Sequence, residues 1–203
     1  LSFLRNRQVG VCCNHTAVDS QLNHLLDKLA AEKILVKRIF TPEHGLHATA
    51  QDMIGVEGHG EIVSLYGNTV DSLRPPKELL EDLDVILFDI QDIGSRYYTY
   101  QATLGYLMEV AAQTGTEIIV LDRPNPINGL TLEGNIVQPG FESFVSAYPL
   151  AVRHGMTLGE LGTFFHQTIP CPFRVIPCIG WNREHYFDET SLPWVYPSPN
   201  MPT

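Results

Sequence analysis

The sequence predicts an α/β domain built on a mostly parallel sheet with helices on both faces. Short apolar runs alternate with stretches of helical spacing, VGVCC (Val9 to Cys13), VKRIF (Val36 to Phe40), DVILFDI (Asp84 to Ile90) and EIIVLD (Glu117 to Asp122), which is the pattern of β-α-β units. Leu22, Leu25, Leu26 and Leu29, and then Leu104, Leu107, Met108 and Ala111, recur at helical spacing and give each intervening segment one apolar face. The 44% hydrophobic content over 203 residues suffices to cover both faces of a central sheet.

A weaker strand is expected at Ile62 to Tyr66, followed by a turn at Gly67 and Asn68 and a short helix begun by Pro75 and Pro76. That makes five parallel strands in the first 123 residues. The segment RPNPINGL after Asp122 is too rich in proline, asparagine and glycine for a helix or central strand, and reads as a functional loop. Beyond it the sequence predicts a strand at Tyr148 to Val152 and a helix from Thr157 to His166, with Thr157 as N-cap and Glu160 at the capping-box position. An apolar strand follows near Phe173 to Ile179. The last eleven residues, PWVYPSPNMPT, hold four prolines and read as a linker or loop.

A net charge of -10, from 13 basic and 23 acidic side chains, argues against a nucleic-acid partner, because phosphate binding needs a cationic footprint. No apolar run approaches the roughly 20 residues of a membrane helix. The loop after the first strand, NHTAVDS, contains no glycine, so the dinucleotide fingerprint is missing. No Gly-Lys-Ser/Thr triplet occurs, so no phosphate loop is present either. No cofactor is therefore expected. Cys12, Cys13, Cys171 and Cys178 lack zinc-knuckle spacing and read as small buried hydrophobes. Metal-assisted hydrolysis through His44, Asp92 and Asp122 finds no support in any H-E-x-x-H spacing, and no metal is expected.

Ligands of an open parallel sheet bind outside the carboxyl ends of its strands, so the residues that follow each strand carry the candidates. Asn14 follows the first. The PEHG tetrad, Pro42 to Gly45, follows the second and sets Glu43 beside His44 on a constrained turn. Glu43 reads as an acid or base, or else as a helix-capping or surface charge; His44 is its hydrogen-bonding neighbour or a proton carrier. The fourth strand runs into DIQDIGSRYYTYQ, where Asp92 and Arg96 are candidates for substrate contact or form an i,i+4 ion pair. Tyr97, Tyr98 and Tyr100 belong to the core or line a carbohydrate cleft. Asp122 and Arg123 follow the fifth strand and suit substrate orientation. Glu133 is a second candidate carboxylate or an exposed loop acid. Arg153, next to His154, offers a guanidinium fork for a substrate carboxylate, or a structural salt bridge. Two acids flanking one bond are the minimum for glycoside hydrolysis.

Taken in order, FTPEHG, SLYG, DVILFDIQDIGSRYYTY, VLDRPNPINGL with LEGN, VRHGMTLGEL and PSPNMPT resemble the NamZ-type exo-β-N-acetylmuramidases, from about Arg7 to Thr203. The resemblance implies a Rossmann-like N-terminal domain without a nucleotide, spanning residues 1–203 and cut before a C-terminal α/β domain. It implies a bacterial cell-wall recycling glycosidase that releases N-acetylmuramic acid from the non-reducing end of peptidoglycan fragments. It also implies export to the periplasm or beyond, with a leader absent from this sequence. On the family's motifs Glu43 becomes the catalytic carboxylate, with His44 orienting it and Asp92 or Glu133 as the second acid. Arg96, Asp122, Arg123, Arg153 and His154 become substrate contacts, joined by Asn14 from its strand-end position alone, and one of the three arginines would meet the lactyl carboxylate. The competing expectation is a sugar- or muropeptide-binding domain without turnover.

Overall fold

The computed structural model describes residues 1–42, 46, 60–65, 73–198 and 201. Its framework is a single six-stranded sheet, every pairing parallel, in the order β3-β2-β1-β4-β5-β6. The strands are β1 (Val9–Cys13), β2 (Val36–Thr41), β3 (Glu61–Ser64), β4 (Val85–Asp89), β5 (Glu117–Leu121) and β6 (Phe173–Ile176). All five strands expected before residue 123 are present, and the Phe173 segment adds the sixth at the far edge.

The apolar runs are continuous because the central strands are covered on both sides. In β4 the alternation divides the residues between two cores. Ile86 and Phe88 join Cys12, Phe40, Ile118 and Val120 against Leu104 and Leu107 of α2 (Tyr100–Thr114) and Leu161 and Phe165 of α3 (Leu158–His166). Val85 and Leu87 join Val9, Val11, Cys13, Ile39 and Ile119 against Leu25, Leu26 and Leu29 of α1 (Leu25–Ala31). Helices thus lie on both faces. Cys12, Cys13 and Cys171 are buried free thiols, as small hydrophobes would be, and Cys178 is half-buried.

α3 begins as the sequence predicts. The Thr157 hydroxyl accepts the Glu160 N–H, and the Glu160 carboxylate accepts the Thr157 N–H. Two other expectations are corrected. Leu22 is not part of α1: it stands at φ 64° and is 58% exposed. The Asp19 carboxylate accepts the N–H groups of Gln21 and Asn23 and makes a turn there, and His24 caps the helix instead. The Tyr148 to Val152 segment is not a strand. Its carbonyls go to Arg96, Leu150 to the guanidinium and Val152 to the main-chain N–H, rather than to a ladder. The Tyr148 ring meanwhile packs 4.2 Å from that of Phe165 and occupies the space a Cβ on Gly105 would need.

At the β2–β3 edge, buried Arg38 donates to Glu61 of β3 (3.0 Å) and to Asp82 (2.7 Å), and Lys37 reaches Asp82 at 3.0 Å. These two cations hold the Asp82 carboxyl down to about 2, Arg38 first. A depressed carboxyl stabilises the fold above its unfolded value, and the contribution disappears as pH falls toward the folded one. Asp82→Asn is therefore expected to flatten the acid limb of a urea-unfolding series below about pH 4. An acid limb identical to that of the parent chain would exclude this account.

Candidate active-site crevice

The strand order reverses between β1 and β4, which is where a doubly wound sheet opens a ligand crevice. A crevice of about 240 Å³ lies at that end of the sheet, lined by Ala17, Val18 and Asp19 after β1, Asp89 of β4, and Asp122 and Arg123 after β5. A smaller pocket adjoins it, lined by Thr16, Gln91 and Arg123.

The loops that form it are joined by a chain of buried hydrogen bonds. Asn14, 1% exposed, accepts from the N–H (3.0 Å) and hydroxyl (2.6 Å) of Thr16, and its amide faces the Tyr100 hydroxyl at 3.4 Å. The Thr16 hydroxyl oxygen in turn accepts the Gln91 N–H at 2.9 Å. Gln91 donates its own amide to the carbonyls of Asp92 and Pro124, so the loops after β1, β4 and β5 are tied together. Gly94 stands at φ 80° where a Cβ would lie 2.4 Å from the Asn125 Oδ1, which makes glycine necessary for this approach.

The charged candidates fall into separate arrangements. Arg123 donates its Nε to Asp89 at 2.5 Å and Nη2 to the Val18 carbonyl at 3.0 Å. Asp122 accepts from Arg123 N–H (3.0 Å), the Thr157 hydroxyl (2.8 Å) and Gly159 N–H (2.8 Å), so its carboxylate closes the N-terminus of α3. Burial raises the Asp122 carboxyl above its ordinary value despite these donors. Glu133 and Arg153 pair at 2.9 Å and also exchange backbone hydrogen bonds, and Arg153 donates to the Ile127 carbonyl. The salt bridge expected as the alternative for Arg153 is present.

Asp92 and Arg96 do not make the i,i+4 pair. Buried Arg96 donates to the carbonyls of Asn135 and Leu150, both at 2.6 Å. Asp92 Oδ2 accepts the Gly94 N–H at 2.8 Å and faces His154 Nε2 at 3.4 Å. His154 Nδ1 accepts the Met156 N–H, so in the neutral ring the proton sits on Nε2, toward Asp92. Asp92 Oδ1 is buried without a hydrogen-bond partner. This acid–imidazole pair is 5% and 2% exposed. No group of three metal-ligating side chains occurs among the described residues, and no helix among them is long and apolar enough to cross a membrane.

Glu43 and His44 lie outside the described residues, as do Tyr66, Gly67 and Asn68. Sequence reasoning placed Asp89 and Gln91 at a strand end without assigning them a part; their partners, Arg123 and Thr16, come from other strands and leave no local signal.

The chain is 41% identical over 209 residues to the "Peptidoglycan beta-N-acetylmuramidase NamZ" of Bacillus subtilis (strain 168), covering 98% of this chain and 50% of that protein. Two crystal structures of DUF1343 family proteins from Bacteroides fragilis NCTC 9343 share the fold. One has a TM-score of 0.89 at 38% identity, covering 98% of this chain and 52% of the other. The second has a TM-score of 0.79 at 33% identity, covering 92% and 51%. The chain thus spans about half the length of the relatives it matches. The family model matches residues 9–203, and the chain belongs to the family described as "Exo-beta-N-acetylmuramidase NamZ, N-terminal".

Proposed function

We propose that this chain supplies one half of an exo-β-N-acetylmuramidase, a glycoside hydrolase that releases N-acetylmuramic acid from the non-reducing end of peptidoglycan fragments by carboxylate acid/base catalysis. The observation that carries the reading is the 41% identity, over nearly the whole chain, to a protein named for that activity. A second α/β half, corresponding to the remaining length of the relatives, would complete the cleft. The enzyme would act outside the cytoplasm, where such fragments arise.

The chemistry divides between two kinds of group. One acid must protonate the glycosidic oxygen while a second activates water or attacks the anomeric carbon. Asp89, Asp122 and Glu133 each hold an internal partner, which favours Glu43 for the first task, with His44 as its orienting neighbour. Asp92, whose Oδ1 has no hydrogen-bond partner, is the second acid with a lone pair unspent. The lactyl carboxylate of the sugar asks for a cation. Arg96 suits it best, because among the described residues its guanidinium meets two carbonyls and the Tyr97 ring but no carboxylate, whereas Arg123 and Arg153 already face carboxylates.

A sugar- or muropeptide-binding domain without turnover is the second reading, favoured by the internal pairing of Asp89, Asp122 and Glu133. Release of chromophore from an N-acetylmuramic acid glycoside, with the N-acetylglucosamine analogue left uncut, is expected of the enzyme. Calorimetric sugar binding with no release of chromophore by the protein carrying both halves would select the second reading, and neither binding nor release by that protein would reject both.

A further inference from the structure

The switch-point crevice is roofed by the chain itself. Leu192 lines the 240 Å³ space beside Asp89, Asp122 and Arg123, while Pro193 and Val195 line the adjoining pocket beside Thr16 and Gln91. From there residues 193–198 run past the carboxyl end of β1. Pro193 and Pro197 have no N–H to give. Side chains of the sheet body reach its carbonyl oxygens instead: His15 Nε2 donates to the Tyr196 carbonyl at 2.6 Å, and the Tyr100 hydroxyl donates to the Pro197 carbonyl. The Trp194 ring stands edge-on to Phe187 at 4.7 Å, and Ser198 is 4% exposed while Tyr196 is 50% exposed.

We propose that residues 192–198 form a strap over the β1–β4 crevice, with His15 and Tyr100 as the positioning residues that hold it shut, and that its release opens the crevice to a ligand. The strap is no part of the sheet. No ladder holds residues 192–198, so they can lift while the strands stay paired, a local opening distinct from unfolding. Anchors that sit in the loop after β1 and at the start of α2 couple the roof to the loops that build the crevice floor, since Asn14, beside His15, also faces the Tyr100 hydroxyl. The seating is independent of the sugar reading, so its test needs no sugar.

Trp194 is the reporter. In a Trp181→Phe background it is the remaining tryptophan, because the chain has two. Tyr100→Phe, which removes only a hydroxyl, and His15→Ala are each expected to speed chymotryptic cleavage after Trp194 and to raise acrylamide quenching of its fluorescence. The double variant should be cleaved about tenfold faster or more, as expected for a local opening eased without global unfolding, with the thermal midpoint held. His15→Gln, whose amide N–H can reach the same carbonyl, should restore slow cleavage. Cleavage and quenching unchanged in both single variants would overturn the proposal. So would acceleration spread evenly over the whole chain with a lowered midpoint, since the strap would then be no separate unit.

Discussion

Under the proposed muramidase reading, Glu43→Gln in the protein carrying both halves is expected to cut release of N-acetylmuramic acid from its glycoside by on the order of 10²–10⁴-fold, the range for loss of a positioned general acid. Sugar affinity should stay within about threefold, because an amide keeps the shape and hydrogen-bonding capacity of the side chain but has no proton to deliver. The expectation rests on the PEHG tetrad and on how the other acids are used. Asp89 neutralises Arg123, Asp122 closes a helix, and Glu133 holds Arg153, so none of these three has its charge free for a glycosidic oxygen. Turnover and calorimetric affinity measured on the same preparations separate the roles. Affinity lost in step with turnover would make Glu43 a recognition residue.

Asp122→Ala is expected to act in the opposite way, on stability. Three donors, Arg123 N–H, the Thr157 hydroxyl and Gly159 N–H, lose their acceptor inside the structure. Loss of a cap and of buried hydrogen-bond acceptors together should cost roughly 2–4 kcal/mol, seen as a lower urea midpoint at unchanged slope. Asp122→Asn should recover part of the loss, since an amide oxygen still accepts from Gly159. The pH dependence has a definite sign. Burial raises the Asp122 carboxyl, so its contribution is present below the unfolded value and declines as pH rises through the folded one. The stability gap between the parent chain and Asp122→Asn should therefore narrow from acid toward neutral pH. An Ala variant as stable as the parent would show that the α3 terminus does not need this carboxylate.

The two substitutions also show which parts of the site a sequence can carry. PEHG and the apolar run before it are contiguous, so the reading of Glu43 required only neighbours in sequence. The β-α-β order was legible for the same reason: burial on both faces leaves uninterrupted runs such as VILF, and a capping box such as Thr157 to Glu160 spans one helical turn. Leu22 misled because a leucine at helical spacing carries no sign of the Asp19 turn that ends the periodicity. Tyr148 to Val152 misled because an apolar segment with no ladder partner looks like a strand until its carbonyls are followed to Arg96.

What the sequence by itself determined is the class of fold, the family and the set of strand-end residues from which a site can be drawn, because each is encoded in local pattern or in contiguous motif. Only the tertiary structure decided which of those residues have charge to spare. Asp122 and Thr157 are 35 positions apart, Asp89 and Arg123 are 34 apart, and Tyr100 and Pro197 are 97 apart. Pairings at such separations are fixed by how strands and helices stack, since a hydrogen bond depends on distance in space and leaves no periodic trace along the chain.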